Sequence, residues 1–231
     1  MIHFQDTTEK KTTPELSGAA GFQEIKPSGG LSFQGARSFL DRLFSGGSSR
    51  WENVDRESLM QEIYGRSTDE FSFEFEWDDR VQGALDRFRP DQWEKLSHGE
   101  KIEAIREFAD VIGEKLGLKD QPEIRLYSDV PNSCGAYYAG ENVVRINQNI
   151  FFDPREVADT VAHEFRHAYQ HQRANHPETK MDMLYKLNFE NYVSATRQPD
   201  GTYLHFTDYQ DQLVEAEARA FASLFTGQED M

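Results

Sequence analysis

The sequence predicts an α+β protein that is mainly helical and contains a small mixed sheet. Two long stretches, residues 97–117 and 153–175, carry helix-capping residues and lack internal breakers. Between them, residues 122–148 alternate apolar and polar side chains, which is the period of a β-strand. Helices that flank a separate group of short strands are typical of the α+β class.

Composition excludes several classes of protein. The 231 residues have a formal net charge of −16, which would repel a nucleic-acid backbone over most of the surface. No run of about 18 apolar residues is present, so a membrane-spanning helix is not expected. The single cysteine, Cys134, excludes an internal disulfide and zinc sites built on paired cysteines. Any metal ligands must therefore be His, Asp or Glu.

The N-terminal region has a different composition from the rest. It lacks the apolar stretch of a cleaved secretory signal, so we expect a cytoplasmic protein, or one delivered into a target cell without a cleaved signal peptide. Residues 1–32 have the composition of a flexible segment, and a short amphipathic helix follows, ended by Gly-Gly-Ser-Ser at 46–49. Residues 1–49 are thus predicted to be a flexible leader, whose helix is either a surface helix or a docking segment. Residues 50–231 are predicted to form the folded domain.

The first part of the folded domain is predicted to be all helical. Helical signals run continuously from Asp55, through RESLMQEIYG and DDRVQGALDRF, into the helix that begins after Ser97. Ser97 and Glu100 form a capping box, in which each side chain accepts a hydrogen bond from the backbone N–H of the other. Gly117 closes this helix.

Strands and further helices follow in order. PEIRLYS, GAYYAG and ENVVRINQ have the period of strands, and residues 140–142 supply the turn between the last two. The next helix has Asp153 as its N-cap and Pro154 at its first position. Beyond it, the sequence predicts a helix near residues 181–193, a hairpin with a Pro-Asp-Gly turn at 192–206, and a final helix at 207–225.

The helix after Asp153 carries the pattern His-Glu-x-x-His at residues 163–167. Residues four apart are about 40° apart around a helix, so His163 and His167 can direct their imidazoles at one point. Glu164 is rotated by about 100° from His163, which favours contact with a water on the metal over direct ligation. A solvated polar face would have charged neighbours all round, whereas this helix is apolar before the motif. The pattern therefore indicates a zinc site with Glu164 as the candidate general base.

A catalytic zinc has three protein ligands and one open position, so a third ligand must come from another element. The last helix offers Glu215 and Glu217, and its periodicity does not choose between them. His171 continues the row of histidines but lies two helical turns, about 10.8 Å, from His163. We expect neither His171 nor His176 to be a ligand.

These motifs resemble those of the zincin metallopeptidases, in particular the glutamate-zincin branch, in which a second helix carries Glu-x-x-Ala-Asp or Glu-x-x-Ala-Asn. Residues 215–222, EAEARAFA, are similar to that second motif. The resemblance implies that Glu215 is the third ligand, while Arg219 departs from the acidic or amide residue usual at its position. It covers about residues 97–228. HAYQ at 167–170 and the compact C-terminal glutamate helix also resemble small zincin-like domains of bacterial toxins, secreted effectors and phage-associated proteins.

The resemblance implies a zinc metalloendopeptidase in which His163, His167 and Glu215 bind Zn²⁺ and Glu164 transfers protons. Its partner would be a protein or peptide substrate, with no role for nucleic acid or a membrane. A bacterial toxin or effector protease is the narrower expectation, and an extended substrate would pair with the sheet edge near residues 135–147. The alternative is a non-catalytic module in which zinc braces a protein-binding fold. The sequence does not predict an oligomeric state.

Four further side chains have two interpretations each. The tetrahedral intermediate of peptide hydrolysis needs a hydrogen-bond donor, and Tyr203, His205 and Tyr209 are candidates. Packing of the hairpin against a helix is the other explanation for these residues, and the expected one for each. Cys134 is either a thiolate that caps the zinc in a latent form or, as expected more often, a buried thiol.

Overall fold

The computed structural model of the chain describes residues 55–130 and 133–227. These residues form a mainly helical α+β fold with a small mixed sheet, which is the predicted class. The leader expected at residues 1–49, with its short helix, lies outside the described residues. None of the helices in the described ranges is long and apolar enough to cross a lipid bilayer.

Helices dominate the described part of the chain, and short strands lie between them. The α-helices are α1 (Arg56–Gln61), α2 (Asp79–Asp86), α3 (Pro90–Trp93), α4 (His98–Lys115), α5 (Pro154–Asn175), α6 (Lys180–Glu190), α7 (Phe206–Gln210) and α8 (Leu213–Thr226). The strands are β1 (Glu123–Tyr127), β2 (Gly135–Tyr138), β3 (Val143–Asn147), β4 (Thr196–Arg197) and β5 (Tyr203–Leu204). Short 3₁₀ helices lie at Thr68–Glu70 and Gln148–Ile150.

The two long helices begin at their predicted capping residues. At α4, the Ser97 side chain accepts the N–H of Glu100, and the Glu100 carboxylate accepts the N–H of Ser97. Gly117 follows this helix at φ +68°, a left-handed conformation that favours glycine. At α5, the Asp153 carboxylate accepts the N–H groups of the two residues after Pro154. The sequence predictions for both helices are confirmed.

The three-stranded sheet has β3 in the middle, between β1 and β2. β3 is parallel to β1, with Ile124 beside Val144, and antiparallel to β2, with Tyr137 beside the same Val144. Asn142, at φ 52°, lies in the predicted turn between β2 and β3. The sheet predicted at residues 122–148 is therefore confirmed. Strand β2 forms an edge of this sheet and contacts α5.

Helix α5 lies at the centre of the fold and packs against α8, α4, α6 and the sheet. Its contact with α8 is close because small side chains line it; Ala216, Ala218 and Ala222 of α8 are fully buried. Large aromatic side chains fill the core around these helices: Phe88, Trp93, Phe108, Phe165, Phe221 and Phe225. A second apolar cluster joins α1, α6 and the start of α8. The middle of α5 therefore lies in the protein interior.

The final helix predicted at residues 207–225 is two helices, α7 and α8, which are separated at Gln212. The backbone of Gln212 is extended, and its buried side-chain amide is hydrogen-bonded to Asn188 and Val193. These tertiary hydrogen bonds stabilise the extended backbone of Gln212 that separates α7 from α8. The prediction of one helix was wrong because the partners of Gln212 are distant in sequence.

The prediction that the first part of the domain is all helical is wrong for residues 71–77. The segment FSFEFEW is extended and pairs with no strand of the described residues. Its aromatic side chains pack onto α8 instead. Phe75, for example, lies edge-on to Phe221 and Phe225, with ring centroids 5.9 and 5.1 Å apart. Burial against a helix explains the period of two in this segment.

Candidate metal centre

Two imidazoles and one carboxylate converge between α5 and α8. His163 and His167 lie one turn apart on α5, and their Nε2 atoms are 3.0 Å apart. Glu215 comes from the first turn of α8, with Oε2 3.4 Å from Nε2 of His163 and Oε1 3.3 Å from Nε2 of His167. One ligand atom from each residue lies within 4.8 Å of the others. Of the two glutamates that the sequence leaves open, Glu215 is the one that meets the histidines.

The cluster fits a zinc ion. Ligand atoms about 2.0–2.2 Å from a tetrahedral zinc lie roughly 3.3–3.6 Å from one another. The two imidazole Nε2 atoms are 3.0 Å apart, and each lies near a different oxygen of Glu215, His163 at 3.4 Å from Oε2 and His167 at 3.3 Å from Oε1. Glu215 is 1% exposed, and its Oε2 has no hydrogen-bond partner. Such a buried acceptor costs about 1–3 kcal/mol, which a cation would offset. Within residues 55–130 and 133–227, a fourth His, Cys, Asp or Glu does not join the three.

The charges of the cluster are strongly coupled. Burial lowers the pKa of His167, but the Glu215 carboxylate outweighs burial and raises this pKa to about 9. Burial raises the pKa of Glu215, but His167 and His163 bring it well below its ordinary value. The carboxylate is therefore ionised, and the cluster attracts positive charge. This is the electrostatic condition for a cation site.

Glu164 lies beside the cluster on α5 and is 2% exposed. Its carboxylate accepts a hydrogen bond from the backbone N–H of Tyr137 in strand β2. Burial raises the pKa of Glu164, and the neighbouring His163 and His167 offset this effect only in part. A carboxylate with a raised pKa is a stronger base than an ordinary one and is therefore better suited to accept a proton.

An open cleft passes over the cluster. Glu164, His167 and Glu215 line a cavity of about 580 Å³. Much of its remaining wall is aromatic and comes from β2, the end of α5 and the region around the end of α6: Tyr137, Tyr138, His171, Phe189 and Tyr192. A smaller cavity of about 200 Å³ lies on the side of His163 and is also bordered by Glu164. Glu164, although almost completely buried, therefore borders both cavities.

Cys134 lines the smaller cavity together with Glu156 and Asp159. Burial and a hydrogen bond to Glu156 raise the pKa of the Cys134 thiol far above its ordinary value. A thiol that stays protonated is a poor zinc ligand, since the thiolate is the form that binds metal. Cys134 is also outside the group of converging ligand atoms. The structure thus favours a half-buried thiol at Cys134 over a zinc-capping thiolate.

Glu217 faces away from the cluster, although it lies two residues from Glu215. Its Oε1 accepts hydrogen bonds from the Arg166 guanidinium and from the Tyr185 hydroxyl, the latter at 2.7 Å. Its Oε2 accepts from the side-chain amide of Gln170 at 2.8 Å. Both carboxylate oxygens thus have protein partners, and the geometry gives Glu217 no ligand role.

The remaining histidines of α5 and its end are not part of the cluster, in line with expectation. His171 stacks on Phe189, with ring centroids 3.7 Å apart. Burial, with a smaller contribution from His167, lowers the pKa of His171 to about 3, so its ring is neutral at physiological pH. His176 is exposed at the end of the helix.

Of the three candidate oxyanion donors, Tyr209 is the one near the cluster. Tyr209 is buried, and burial together with the Glu215 carboxylate raises the pKa of its phenol well above the ordinary value. Tyr203 packs on Phe206, with ring centroids 5.6 Å apart. His205 is exposed beside Asp208. For Tyr203 the packing interpretation therefore describes the structure.

Two side chains that contact the cluster are not among the candidate site residues of the sequence. Gln170 lies with its side-chain oxygen 2.8 Å from Nδ1 of His167. Its position three residues after His167 is a helical spacing that could have indicated the contact. Tyr192, from the segment after α6, donates its hydroxyl to Oε1 of Glu215 and lines the larger cavity. No local pattern marks Tyr192, because a loop brings it to the cluster.

The chemical capacity of the site follows from its own groups. Two imidazoles and a buried carboxylate can hold a cation, and an adjacent glutamate in an open cleft can move a proton. No protein-family model, curated protein or solved structure matches the chain.

Proposed function

We propose that this chain is a zinc-dependent endopeptidase of the zincin type, in the glutamate-zincin branch, which hydrolyses peptide bonds of a protein substrate. The observation that carries the proposal is the cluster of His163, His167 and Glu215, in which a buried carboxylate oxygen has no hydrogen-bond partner. The cluster lies in the wall of an open cavity, so a substrate can reach the group that it holds.

His163, His167 and Glu215 would hold the zinc ion. Zinc at such a site polarises a substrate carbonyl and lowers the pKa of a bound water towards about 7. Structural zinc sites are usually closed by four protein ligands, whereas three potential ligands converge among the residues that the structure describes. This difference supports a catalytic role over a bracing role.

Glu164 is the proposed general base. Its carboxylate borders both cavities of the cleft and follows a proposed ligand directly in the chain. It takes a proton from the attacking water and later gives a proton to the leaving amine. The N–H of Tyr137 orients this carboxylate, and the raised pKa of Glu164 favours uptake of the proton.

Strand β2 supports binding of an extended peptide. The N–H of Tyr137 is directed at Glu164, which identifies its pair with Val144 as one without mutual hydrogen bonds. Because pairs alternate along an antiparallel ladder, the backbone groups of Gly135 also point away from β3. A substrate strand can add to the sheet through the backbone groups of Gly135 and the carbonyl of Tyr137, beside the proposed zinc ligands.

The larger cavity supports recognition of a sizeable side chain next to the scissile bond. Its volume of about 580 Å³ and its aromatic walls suit an apolar group. The Tyr192 hydroxyl lies at this wall, and burial together with Glu215 raises the pKa of this phenol well above its ordinary value. Tyr192 therefore keeps its hydroxyl hydrogen, which it donates to Oε1 of Glu215, over the physiological pH range.

A bacterial toxin or effector protease is the narrower form of the proposal. It is supported by the resemblance of residues 167–170 and of the C-terminal glutamate helix to small zincin-like domains. The net charge of −16 favours a protein substrate over nucleic acid. Action in the cytoplasm of the producing cell, or of a cell into which the chain is delivered, belongs to the same proposal.

The substitution Glu164→Gln tests the mechanism, because it keeps the size of the side chain and removes the base. We expect about one zinc per chain and an unchanged melting temperature, with cleavage reduced roughly 10²-fold or more. Cleavage is measured by mapping new protein termini after a lysate is exposed to either protein. Glu103→Gln, on an exposed position of α4, is the control and should cleave like the wild type.

Two results would contradict the proposal in different ways. Full cleavage by zinc-loaded Glu164→Gln would remove Glu164 from the mechanism. A wild-type protein that binds zinc but produces no new termini would favour the alternative, a zinc-braced module that binds proteins without cleaving them.

A further inference from the structure

Gln170 is fully buried on α5, three residues after His167, and both ends of its side-chain amide have partners. The oxygen, Oε1, lies 2.8 Å from Nδ1 of His167. The nitrogen, Nε2, lies 3.0 Å from the carbonyl oxygen of Val214 and 2.8 Å from Oε2 of Glu217. The amide thus connects a proposed zinc ligand with the second buried carboxylate of α8.

The partners of Nε2 determine which way the amide points. A backbone carbonyl and a carboxylate only accept hydrogen bonds, so the NH₂ group must face Val214 and Glu217. If the amide turned by 180°, its oxygen would meet these two acceptors, and two buried hydrogen bonds would be lost. Oε1 of Gln170 therefore faces His167, and this atom can only accept.

This orientation fixes one proton of His167. Because Oε1 of Gln170 accepts, Nδ1 of His167 must carry hydrogen, whatever the protonation of the rest of the ring. The other nitrogen, Nε2, is the one that faces Glu215 and His163. We propose that Gln170 is a positioning residue, which holds His167 in the tautomer and ring orientation that bind zinc through Nε2. This inference rests on the proposed zinc site.

Glu217 is the anchor of this arrangement. Its Oε1 is held by the buried Arg166 guanidinium and by the Tyr185 hydroxyl, which leaves Oε2 directed at Gln170. The carboxylate cannot turn away without leaving Arg166 unpaired in the interior, which is strongly unfavourable. Arg166, Glu217, Gln170 and His167 are thus linked in one series of contacts, and each fixes the orientation of the next.

The other proposed histidine ligand has no such partner. Among the described residues, no protein group donates to or accepts from Nδ1 of His163. Arg219 stands where the zincin resemblance places an acidic or amide residue, and its guanidinium donates to the carbonyl of Gln210 instead. In this chain, the hydrogen-bond partner of a ligand histidine therefore comes from the histidine's own helix.

The zinc affinity of the full chain, measured by competition with a chromophoric chelator, tests the inference. Gln170→Ala should weaken zinc binding about 10- to 100-fold, the usual effect of removing a partner of a ligand histidine. Gln212→Ala is the matched control, because Gln212 is also fully buried and bonded through both ends of its amide. Its loss should lower the melting temperature but leave zinc affinity at the wild-type value.

An exchange of two side chains separates positioning from packing. Gln170→Glu places its carboxylate opposite that of Glu217, and Glu217→Gln places its NH₂ group opposite that of Gln170. Because neither pair can form a hydrogen bond, each single variant should bind zinc about 10- to 100-fold more weakly. In the double variant, the NH₂ group of residue 217 again meets an acceptor, and the carboxylate at 170 still accepts from Nδ1 of His167. We expect the double variant to bind zinc more tightly than either single variant.

The outcomes are distinguishable because the probe is zinc alone and no substrate is needed. If Gln170→Ala binds zinc as tightly as the wild type, or the double variant no better than the singles, Gln170 does not position His167. If the wild type itself binds no zinc, the proposed function fails and this inference fails with it. The role is supported if Gln170→Ala binds zinc weakly, Gln212→Ala binds it like the wild type, and the double variant binds it more tightly than Gln170→Glu or Glu217→Gln alone.

Discussion

Glu215 and Glu217 are two residues apart on α8 and similarly deep in the protein, at 1% and 4% exposure, yet their surroundings differ. Two residues correspond to about 200° around a helix, so the two carboxylates face nearly opposite directions. Glu217 faces Arg166, a cation that belongs to the chain. Glu215 faces two imidazoles, and one of its oxygens has no hydrogen-bond partner.

A buried structural carboxylate differs from a candidate ligand in the groups that pair with its oxygens. Permanent groups satisfy both oxygens of Glu217, which is the usual state of a buried polar side chain. At Glu215 the positive charge comes from a group that can exchange it, because the pKa of His167 beside it is raised to about 9. A metal ion can displace the proton of His167, whereas it cannot displace Arg166.

The largest expected effect of this difference is on metal binding. Glu215→Gln removes the charged oxygen ligand, so zinc affinity should fall by orders of magnitude in chelator competition. Glu217→Gln should lose only about 10- to 100-fold, through its contact with Gln170. The opposite ranking of the two variants would transfer the ligand role to Glu217.

Glu217→Gln should lower the stability of the protein more than Glu215→Gln does, which is the reverse of their order in zinc binding. Glu217→Gln leaves the buried Arg166 guanidinium without its counter-charge, which should lower the free energy of unfolding by about 3–5 kcal/mol. Glu215→Gln should lower it less, because the variant removes a buried charge whose Oε2 has no hydrogen-bond donor. Urea denaturation in the presence of a chelator measures both proteins without metal. Equal losses would show that the two carboxylates do not differ in their structural role.

Much of the fold could be predicted because its signals are local. The capping box at Ser97 and the Asp153–Pro154 start of α5 act within one helical turn, and strands β1 to β3 each form over four or five consecutive residues. The break at Gln212 could not be predicted, since it depends on a buried amide whose partners include Asn188, more than twenty residues away. Residues 71–77 alternate apolar and polar side chains as a strand does, but their aromatic side chains pack against helix α8.

In the candidate site, too, some positions follow from local sequence and others from contacts between distant residues. The positions of His163, Glu164 and His167 follow from the geometry of one helix. The choice of Glu215 over Glu217 depends on how α8 is rotated against α5, and periodicity places both glutamates near the buried face. Tyr192 reaches the cluster from a loop, whose path is set by tertiary packing. Helical geometry thus predicts contacts within α5 but not those that other elements bring to it.

His171 extends the comparison, because it lies on the same row of α5 as His167 but stacks on Phe189 instead of facing Glu215. The pKa of His167 is raised to about 9, whereas burial lowers the pKa of His171 to about 3. The two shifts have opposite signs because a carboxylate stabilises the charged ring in one case, and an aromatic environment excludes charge in the other. The lowered pKa of His171 predicts that removal of this ring changes how stability depends on pH.

The sign follows from the two states of the chain. Above pH 6.5, the ordinary pKa of histidine, His171 is neutral whether the chain is folded or unfolded and adds no pH dependence. Below pH 6.5 and down to about pH 3, the unfolded chain binds a proton that the folded chain does not, so stability falls as pH falls, by at most about 1.4 kcal/mol per pH unit.

His171→Phe keeps an aromatic ring on Phe189 and removes the proton site. Its loss of stability between pH 7 and pH 5, measured by urea denaturation, should therefore be about 1–2 kcal/mol smaller than that of the wild type. His176→Gln, exposed at the end of α5, is the control and should lose as much as the wild type. If His171→Phe lost as much as the control, the ring of His171 would accept a proton in the folded protein, and its environment would not differ from that of an exposed histidine.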